Sequence, residues 1–251
     1  MIHLKSQREL DRMAVGGAIL AATIALLERS TRPGISTAEL DGIAEEFIRS
    51  HPGALPSFKG LYGFPGSICS SINEEIVHGI PSKRRALREG DVVALDVGVF
   101  YDGFHTDSAT TVAVGEISGE CRRLLAATRA ALAAGIAEAK PGNHVGDIGA
   151  AVQRVVEDAG FSVVRDLVGH GIGTSFHEEP QVPNHGKPKR GVRLQEGMTL
   201  AIEPMVNAGR AETRTLADRW TIVSEDGSRS AHYEHTVAVT VDGPRILTKG
   251  P

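Results

Sequence analysis

Cysteine is scarce in this 251-residue chain: there are two, Cys69 and Cys121, and they do not form a Cys-x-x-Cys pair. That excludes a disulfide framework and a cysteine zinc site, and leaves two free thiols suited to a reducing compartment. There is no excess of positive charge either. With 27 Lys and Arg against 31 Asp and Glu, the net charge of -4 argues against a general nucleic-acid binder. No low-complexity linker divides the chain, and 41% apolar with 23% charged residues is the balance of a globular protein, not a disordered one. The apolar run from Ala14 to Leu27 is too short to span a bilayer. It follows Lys5, Arg8 and Arg12, yet Glu9 and Asp11 interrupt that basic stretch, and Glu28-Arg29 stand where a secretory signal has small residues. Ser6 with Glu9 forms a capping box, so residues 6–30 read as an amphipathic helix docked on a core. These absences leave a cytoplasmic, enzyme-like protein with one domain over residues 1–251.

What is present is an internal repeat. Leu87-Arg-Glu-Gly-Asp-Val-Val-Ala-Leu-Asp96 matches Leu194-Gln-Glu-Gly-Met-Thr-Leu-Ala-Ile-Glu203 at an offset of 194 − 87 = 107. Upstream, Pro33-Gly34 followed by Glu39-Leu40 matches Pro141-Gly142 followed by Asp147-Ile148, at 141 − 33 = 108. Each half, about 1–115 and 116–251, reads as two helices and a β-hairpin, with helices near 6–30, 37–50, 119–139 and 145–159. The expected fold is α+β, with pseudo-twofold halves whose hairpins lie side by side as an antiparallel sheet covered by four helices. A site would lie between the halves.

The first hairpin runs from Val92 to Val99, turns at Tyr101-Asp102-Gly103-Phe104 and returns from His105 to Val114. A turn centred on Asp102-Gly103 pairs residues whose numbers sum to 205, so Asp96 and Asp107 share a face as diagonal neighbours ~7–8 Å apart. Two acids in the apolar setting Val-Val-Ala-Leu-Asp96-Val resist ionisation unless a cation separates them. Glu203 adds a third at the repeat-equivalent position. Glu234 is the fourth, in Tyr-Glu-His-Thr-Val-Ala-Val, where Thr236 to Val239 repeats Thr111 to Val114 and Asp226-Gly227 supplies the second hairpin's turn. Histidine enters from Gly169-His170-Gly171-Ile172-Gly173, whose glycines permit close backbone approach, and from Phe176-His177-Glu178. This is a hard oxygen and nitrogen donor set, suited to manganese, iron, cobalt or zinc without choosing among them. Strand parity puts His105 on the face of Asp107 and His232 on that of Glu234. Both are expected to lie behind the ligands or at the surface.

Asp96, Asp107, His170, Glu203 and Glu234, with His78-Gly-Ile-Pro81, Gly169-His-Gly-Ile-Gly173 and Ala201-Ile-Glu-Pro204, resemble the ligand motifs of the methionine aminopeptidases from about residue 5 to 248. Glu203 and Glu234 are only 31 apart, without the inserted subdomain of the type II enzymes, so the resemblance is to the bacterial type I catalytic domain. It implies the pita-bread fold and two divalent metal ions. It also implies removal of the initiator methionine from nascent chains, when the second residue is small, by a metal-bridged hydroxide. In that scheme Asp107 and Glu234 bridge the metals, Asp96 chelates one, and His170 and Glu203 complete the other. Glu203 also accepts a proton, while His78 and His177 contact the substrate and stabilise the tetrahedral intermediate. The methionine slot would be lined by Phe58, Leu61, Phe64, Cys69, Phe176 and Trp220, with Leu61 and Phe64 where relatives often have tyrosines.

The resemblance also implies methionyl peptides as substrates, with no membrane or specific nucleic acid, and a monomer. The run Lys187-Pro-Lys-Arg190 reads as a solvated loop whose charge would favour approach to the ribosome. Val77-His78-Gly79-Ile80 is similar to Gly169-His170-Gly171-Ile172, making His78 the expected symmetry counterpart of His170. Competing readings are a proline-specific aminopeptidase or prolidase, which shares the ligand pattern but has a large extra N-terminal domain, and a non-catalytic binding protein, which should have lost ligands.

Overall fold

Ser6 and Ser36 open the first two helices with complete capping boxes. Each hydroxyl accepts the backbone N–H of a glutamate three residues on, and that carboxylate accepts the serine N–H. The computed structural model describes residues 2–250. Its helices are α1 (Gln7–Ser30), α2 (Thr37–Arg49), α3 (Gly119–Ala137) and α4 (Val145–Asp158), within two residues of the expected ranges. The first-half strands are β1 (Leu55–Pro56), β2 (Ile68–Ile72), β3 (Glu75–Val77), β4 (Val92–Tyr101) and β5 (Phe104–Ala113). Those of the second half are β6 (Ser162–Val163), β7 (Val168–Gly171), β8 (Glu178–Pro183), β9 (Thr199–Ile202), β10 (Met205–Asn207), β11 (Thr213–Thr215), β12 (Ile222–Ser224), β13 (Ser230–His232), β14 (His235–Thr240) and β15 (Gly243–Ile246).

The first hairpin has the expected register, Asp96 opposite Ala109 and Gly98 opposite Asp107. Both central turn residues are left-handed, Asp102 at φ 46° and Gly103 at φ 86°, which matches the twist of the flanking strands. The second hairpin is interrupted where its ligands sit. β9 pairs with β14 and β10 with β13, with Glu203-Pro204 and Tyr233-Glu234 in the gaps. Its turn differs from expectation. Residues 208–229 join the arms and send out β11 and β12, which pair with each other while β12 also pairs with β3, and Asp226-Gly227 only leads the chain from β12 into β13. Asp226 caps that local turn by accepting the N–H groups of Arg210 (2.7 Å) and Ser228 (3.0 Å). A turn dipeptide specifies a local bend, not which strands it joins.

The duplication holds at the level of single hydrogen bonds. Gly34 donates to Leu87 O (2.8 Å) and Gly142 to Leu194 O (3.0 Å); Leu87 donates back to Ile35 O (2.8 Å) and Leu194 to Asn143 O (2.7 Å). Strand register repeats as well: Leu95–Thr110 becomes Ile202–His235, and Gly98–Asp107 becomes Met205–His232. The same register corrects one expectation. Ser71 pairs with Ala94 and His170 with Ala201, so Ser71, not His78, is the counterpart of His170. The first His-Gly-Ile follows the end of β3, whereas His170 and Gly171 lie on β7.

β5 and β14 lie side by side, but hydroxyls make most of the seam. Thr236 Oγ1 donates to Asp107 O and accepts Asp107 N–H, both at 2.8 Å. Thr111 Oγ1 does the same with His232, donating at 2.8 Å and accepting at 2.9 Å. Glu234 N–H donates to Ala109 O at 2.9 Å.

On the other side of the sheets, α1 and α2 bury Leu20, Leu27, Leu40 and Ile48 against Leu95 and Val97, while α3 and α4 bury Leu124, Ile148 and Val152 against Leu200 and Ile202. α1 is long and apolar enough to cross a membrane, but half of its apolar window is packed inside the protein. Gly16 and Gly17 each cost such a helix about 1 kcal/mol. Burial of Leu20 and Leu27, about 1.5–3 kcal/mol each, outweighs this. Gly17 is required by the packing, since a Cβ there would sit 2.1 Å from Leu247 O.

Candidate metal centre

The sheet surface between the halves brings together the five residues singled out in the sequence. β4 and β5 present Asp96 and Asp107, β7 presents His170, and the breaks in the second hairpin present Glu203 and Glu234. Asp96, Asp107, His170 and Glu234 are 8%, 4%, 8% and 1% exposed. Asp107, His170 and Glu234 each offer a ligand atom within 4.8 Å of the other two. His170 Nε2 lies 3.9 Å from Asp107 Oδ2 and 3.7 Å from Glu203 Oε1.

These carboxylates repel ionisation. Burial raises Asp96 to about 7 and Glu203 to about 8, and burial with the neighbouring acids holds Asp107 and Glu234 well above the usual range. Asp96 Oδ1, Asp107 Oδ1 and Glu234 Oε1 are buried without any hydrogen-bond partner. The histidines are neutral, since burial lowers His78 and His170 to about 4. His170 Nδ1 donates to the carbonyl of Gly171 at 2.8 Å, which leaves the Nε2 lone pair facing the carboxylates. Gly171 allows this approach, because a Cβ there would meet Glu179 O at 2.2 Å. Orphaned acceptors and a poised imidazole are what a divalent cation would satisfy.

One cavity of about 140 Å³ is lined by the four acids and His170 together with Phe58, Leu61, Phe64, Cys69, Phe176 and Trp220, and His78 and His177 line it too. Its aromatic and aliphatic walls suit an apolar side chain. Phe58 packs edge-on against Phe176 (5.3 Å), and Phe64 against Trp220 (5.2 Å). Gly98 lets the first pair close, since a Cβ would lie 2.9 Å from Phe58 and 3.0 Å from Phe176. Burial, then the charge of Asp96, keeps the Cys69 thiol protonated, so it acts as apolar lining.

Sequence reasoning passed over Tyr62, which is left-handed at φ 52°, lines the cavity, stacks on His177 at 5.7 Å and shares a 3.2 Å hydrogen bond with its Nδ1. Its place between Gly60 and Gly63 was the available signal. His105 lies behind Phe176 as expected, with Nδ1 2.9 Å from Ser57 Oγ. His232 takes the first of its two expected positions, behind the ligands: it is 1% exposed beside Glu203 and Glu234, because β3, β4, β5 and α3 pack over β13, the edge strand of its sheet.

Residues 11–241 match the model of metallopeptidase family M24. A methionine aminopeptidase of Clostridium perfringens is 53% identical over 99% of both chains. The chain belongs to family M24, among its methionine aminopeptidases. The crystal structure of methionine aminopeptidase from Rickettsia prowazekii superposes with a TM-score of 0.97 at 39% identity, covering 99% of this chain and 100% of that one. The pita-bread fold expected from the sequence is therefore the fold of this M24 chain. A Xaa-Pro dipeptidase from Bacillus anthracis shares the fold at 24% identity and a TM-score of 0.79, but this chain covers only 62% of it.

Proposed function

We propose that this enzyme removes methionine from the N-terminus of peptides and new proteins whose second residue is small, using two divalent ions drawn from manganese, iron, cobalt or zinc. The observation that carries this reading is an apolar-walled slot in the same pocket as Asp96, Asp107 and Glu234, three buried acids with unsatisfied oxygens.

Asp96, Asp107, His170, Glu203 and Glu234 would hold the ions, with Asp107 and Glu234 reaching both. Bound there, the ions would activate water and polarise the scissile carbonyl. Glu203 would accept a proton at this position, in the ionised form that adjacent positive charge favours. The slot walls orient the methionine side chain and exclude water. His78 and His177 stand at the slot mouth with neutral imidazoles, able to donate a hydrogen bond to oxygen that gains charge in the transition state. In this role the Tyr62 O–H would donate to Nδ1 of His177, 3.2 Å away, and the ring's proton would sit on Nε2.

The reading extends to a cytoplasmic monomer acting as chains leave the ribosome, with the exposed Lys187–Arg190 loop favouring approach to that acidic surface. Cleavage of Met-Ala-Ser, but not Ala-Pro-Ala, after chelation and addition of manganese or cobalt is the expected result. Preference for Ala-Pro-Ala would instead favour a proline-specific peptidase. Equal turnover of Met-Ala and Met-Leu peptides would remove the small-residue rule.

A further inference from the structure

His232 is 1% exposed, and neither of its ring nitrogens has a hydrogen-bond partner. A buried imidazole left bare on both sides disfavours the fold, and such groups persist where a site uses them. The duplication says which site. Gly98 opposite Asp107 in the first half corresponds to Met205 opposite His232 in the second, so His232 occupies the position that Asp107 holds in the other half. Its diagonal neighbour follows the same rule: Asp96 beside Asp107 becomes Glu203 beside His232.

Distances give the position a role. Glu203 Oε1 lies 3.7 Å from His170 Nε2, while Glu203 Oε2 lies 3.6 Å from His232 Nε2. Each oxygen of one carboxylate thus faces a different imidazole. His170 keeps its Nε2 lone pair free because its Nδ1–H is held by Gly171 O, whereas nothing fixes the tautomer of His232. We infer that His232 is a positioning residue for the metal pair: its Nε2–H closes on Glu203 Oε2 and leaves Oε1 for the ion shared with His170. The inference rests on the ligand assignment proposed above. The repeat has then kept one position in both halves and divided its work, a direct ligand in one and a hydrogen-bond donor to a ligand in the other.

The test compares His232→Gln, which keeps an N–H donor, with His232→Leu, which removes it at similar volume. Calorimetric titration of the metal-free proteins with manganese or zinc, melting of the metal-free forms and cleavage of Met-Ala-Ser are read together. His232→Leu should bind one ion ~10–100-fold more weakly, the range for loss of a group that holds a metal ligand. Its metal-free form should melt no lower than the parent, since two bare nitrogens have gone. His232→Gln should restore the affinity to within about threefold. Should the leucine variant fail to fold, His232→Asn, whose amide is too short to reach Glu203, replaces it with the same expected loss. Parental affinity in the leucine or asparagine variant would overturn the inference, as would a glutamine variant no better than leucine. Glu203→Ala separates the two levels of the argument. If it keeps both ions, the ligand assignment itself is wrong; if it loses one while His232→Leu loses none, only the role of His232 falls.

Discussion

Asp107 and Glu234 illustrate how much a single buried carboxylate can decide. Each is almost wholly enclosed, each has one oxygen without a partner, and each is pushed towards its neutral form by burial and by its neighbours. Asp107→Ala or Glu234→Ala should therefore lose bound metal and activity together, which metal analysis and peptide turnover would read in parallel. Unchanged metal content with full turnover would refute the bridging assignment. The histidines should separate differently. His170→Ala should weaken one metal site and regain part of its activity in excess metal. His78→Ala should keep metal stoichiometry and lose turnover on the order of 10²–10⁴-fold, beyond rescue by metal. Gly98 carries a third expectation. Gly98→Ala puts a methyl against Phe58 and Phe176, so KM for Met-Ala-Ser should rise several-fold while metal affinity stays at the parental level.

At the scale of elements, β5 and β14 meet through side chains. Thr236 satisfies both backbone groups of Asp107. Thr236→Val keeps the shape but leaves a buried N–H and C=O bare, at about 1–3 kcal/mol each. Denaturant titration should show a loss of about 2–6 kcal/mol, and Asp107, no longer held, should bind metal more weakly. A loss under 0.5 kcal/mol would mean that water replaces the hydroxyl. This seam was not legible in the sequence, because threonine on a strand looks the same whether it faces solvent or a neighbouring carbonyl. The helices were legible, since the capping box at Ser6 and apolar periodicity fix their ends locally. The first hairpin was too, because Asp102-Gly103 sets its register and so the shared face of Asp96 and Asp107. Residues 208–229 were not: β12 pairs with β3, far away in sequence, and no local pattern encodes that choice. The match between the motifs around His78 and His170 misled for the same reason, since likeness of residues does not give strand register. His232 was legible in its facing but not in its depth, which depends on what the second half lays over it.

Across the whole molecule the buried acids set a pH dependence. Without metal, Asp96 at about 7 and Glu203 at about 8 hold protons in the folded state that the unfolded chain releases near 4. Stability from these groups is fully present below about 4 and is lost as pH rises through about 7–8. Buried histidines oppose this at lower pH: His78, His105, His170 and His235, at about 4 when folded, lose stability as pH falls below about 6.5. Between about pH 6.5 and 8 only the acids act. One retained proton over that span is worth on the order of 2 kcal/mol. The chelated protein should then melt roughly 4–8 °C lower at pH 8 than at pH 6.5. The metal-loaded protein should change much less, and equal slopes for both forms would place the acids in a solvated setting.

The ligands are divided between the halves, Asp96 and Asp107 on one side and His170, Glu203 and Glu234 on the other, with few backbone bonds crossing between β5 and β14. The molecule thus has a natural line of parting, and the ions would lie across it as a clasp. Chelation should loosen this line before it loosens either hairpin. In hydrogen exchange, the amides of Asp107, His232 and Glu234 should lose protection on metal removal while those within the β4–β5 ladder keep theirs. A peptide-bond hydrolase built this way would expose its own internal boundary to solvent only when it lacks the ions that make it active.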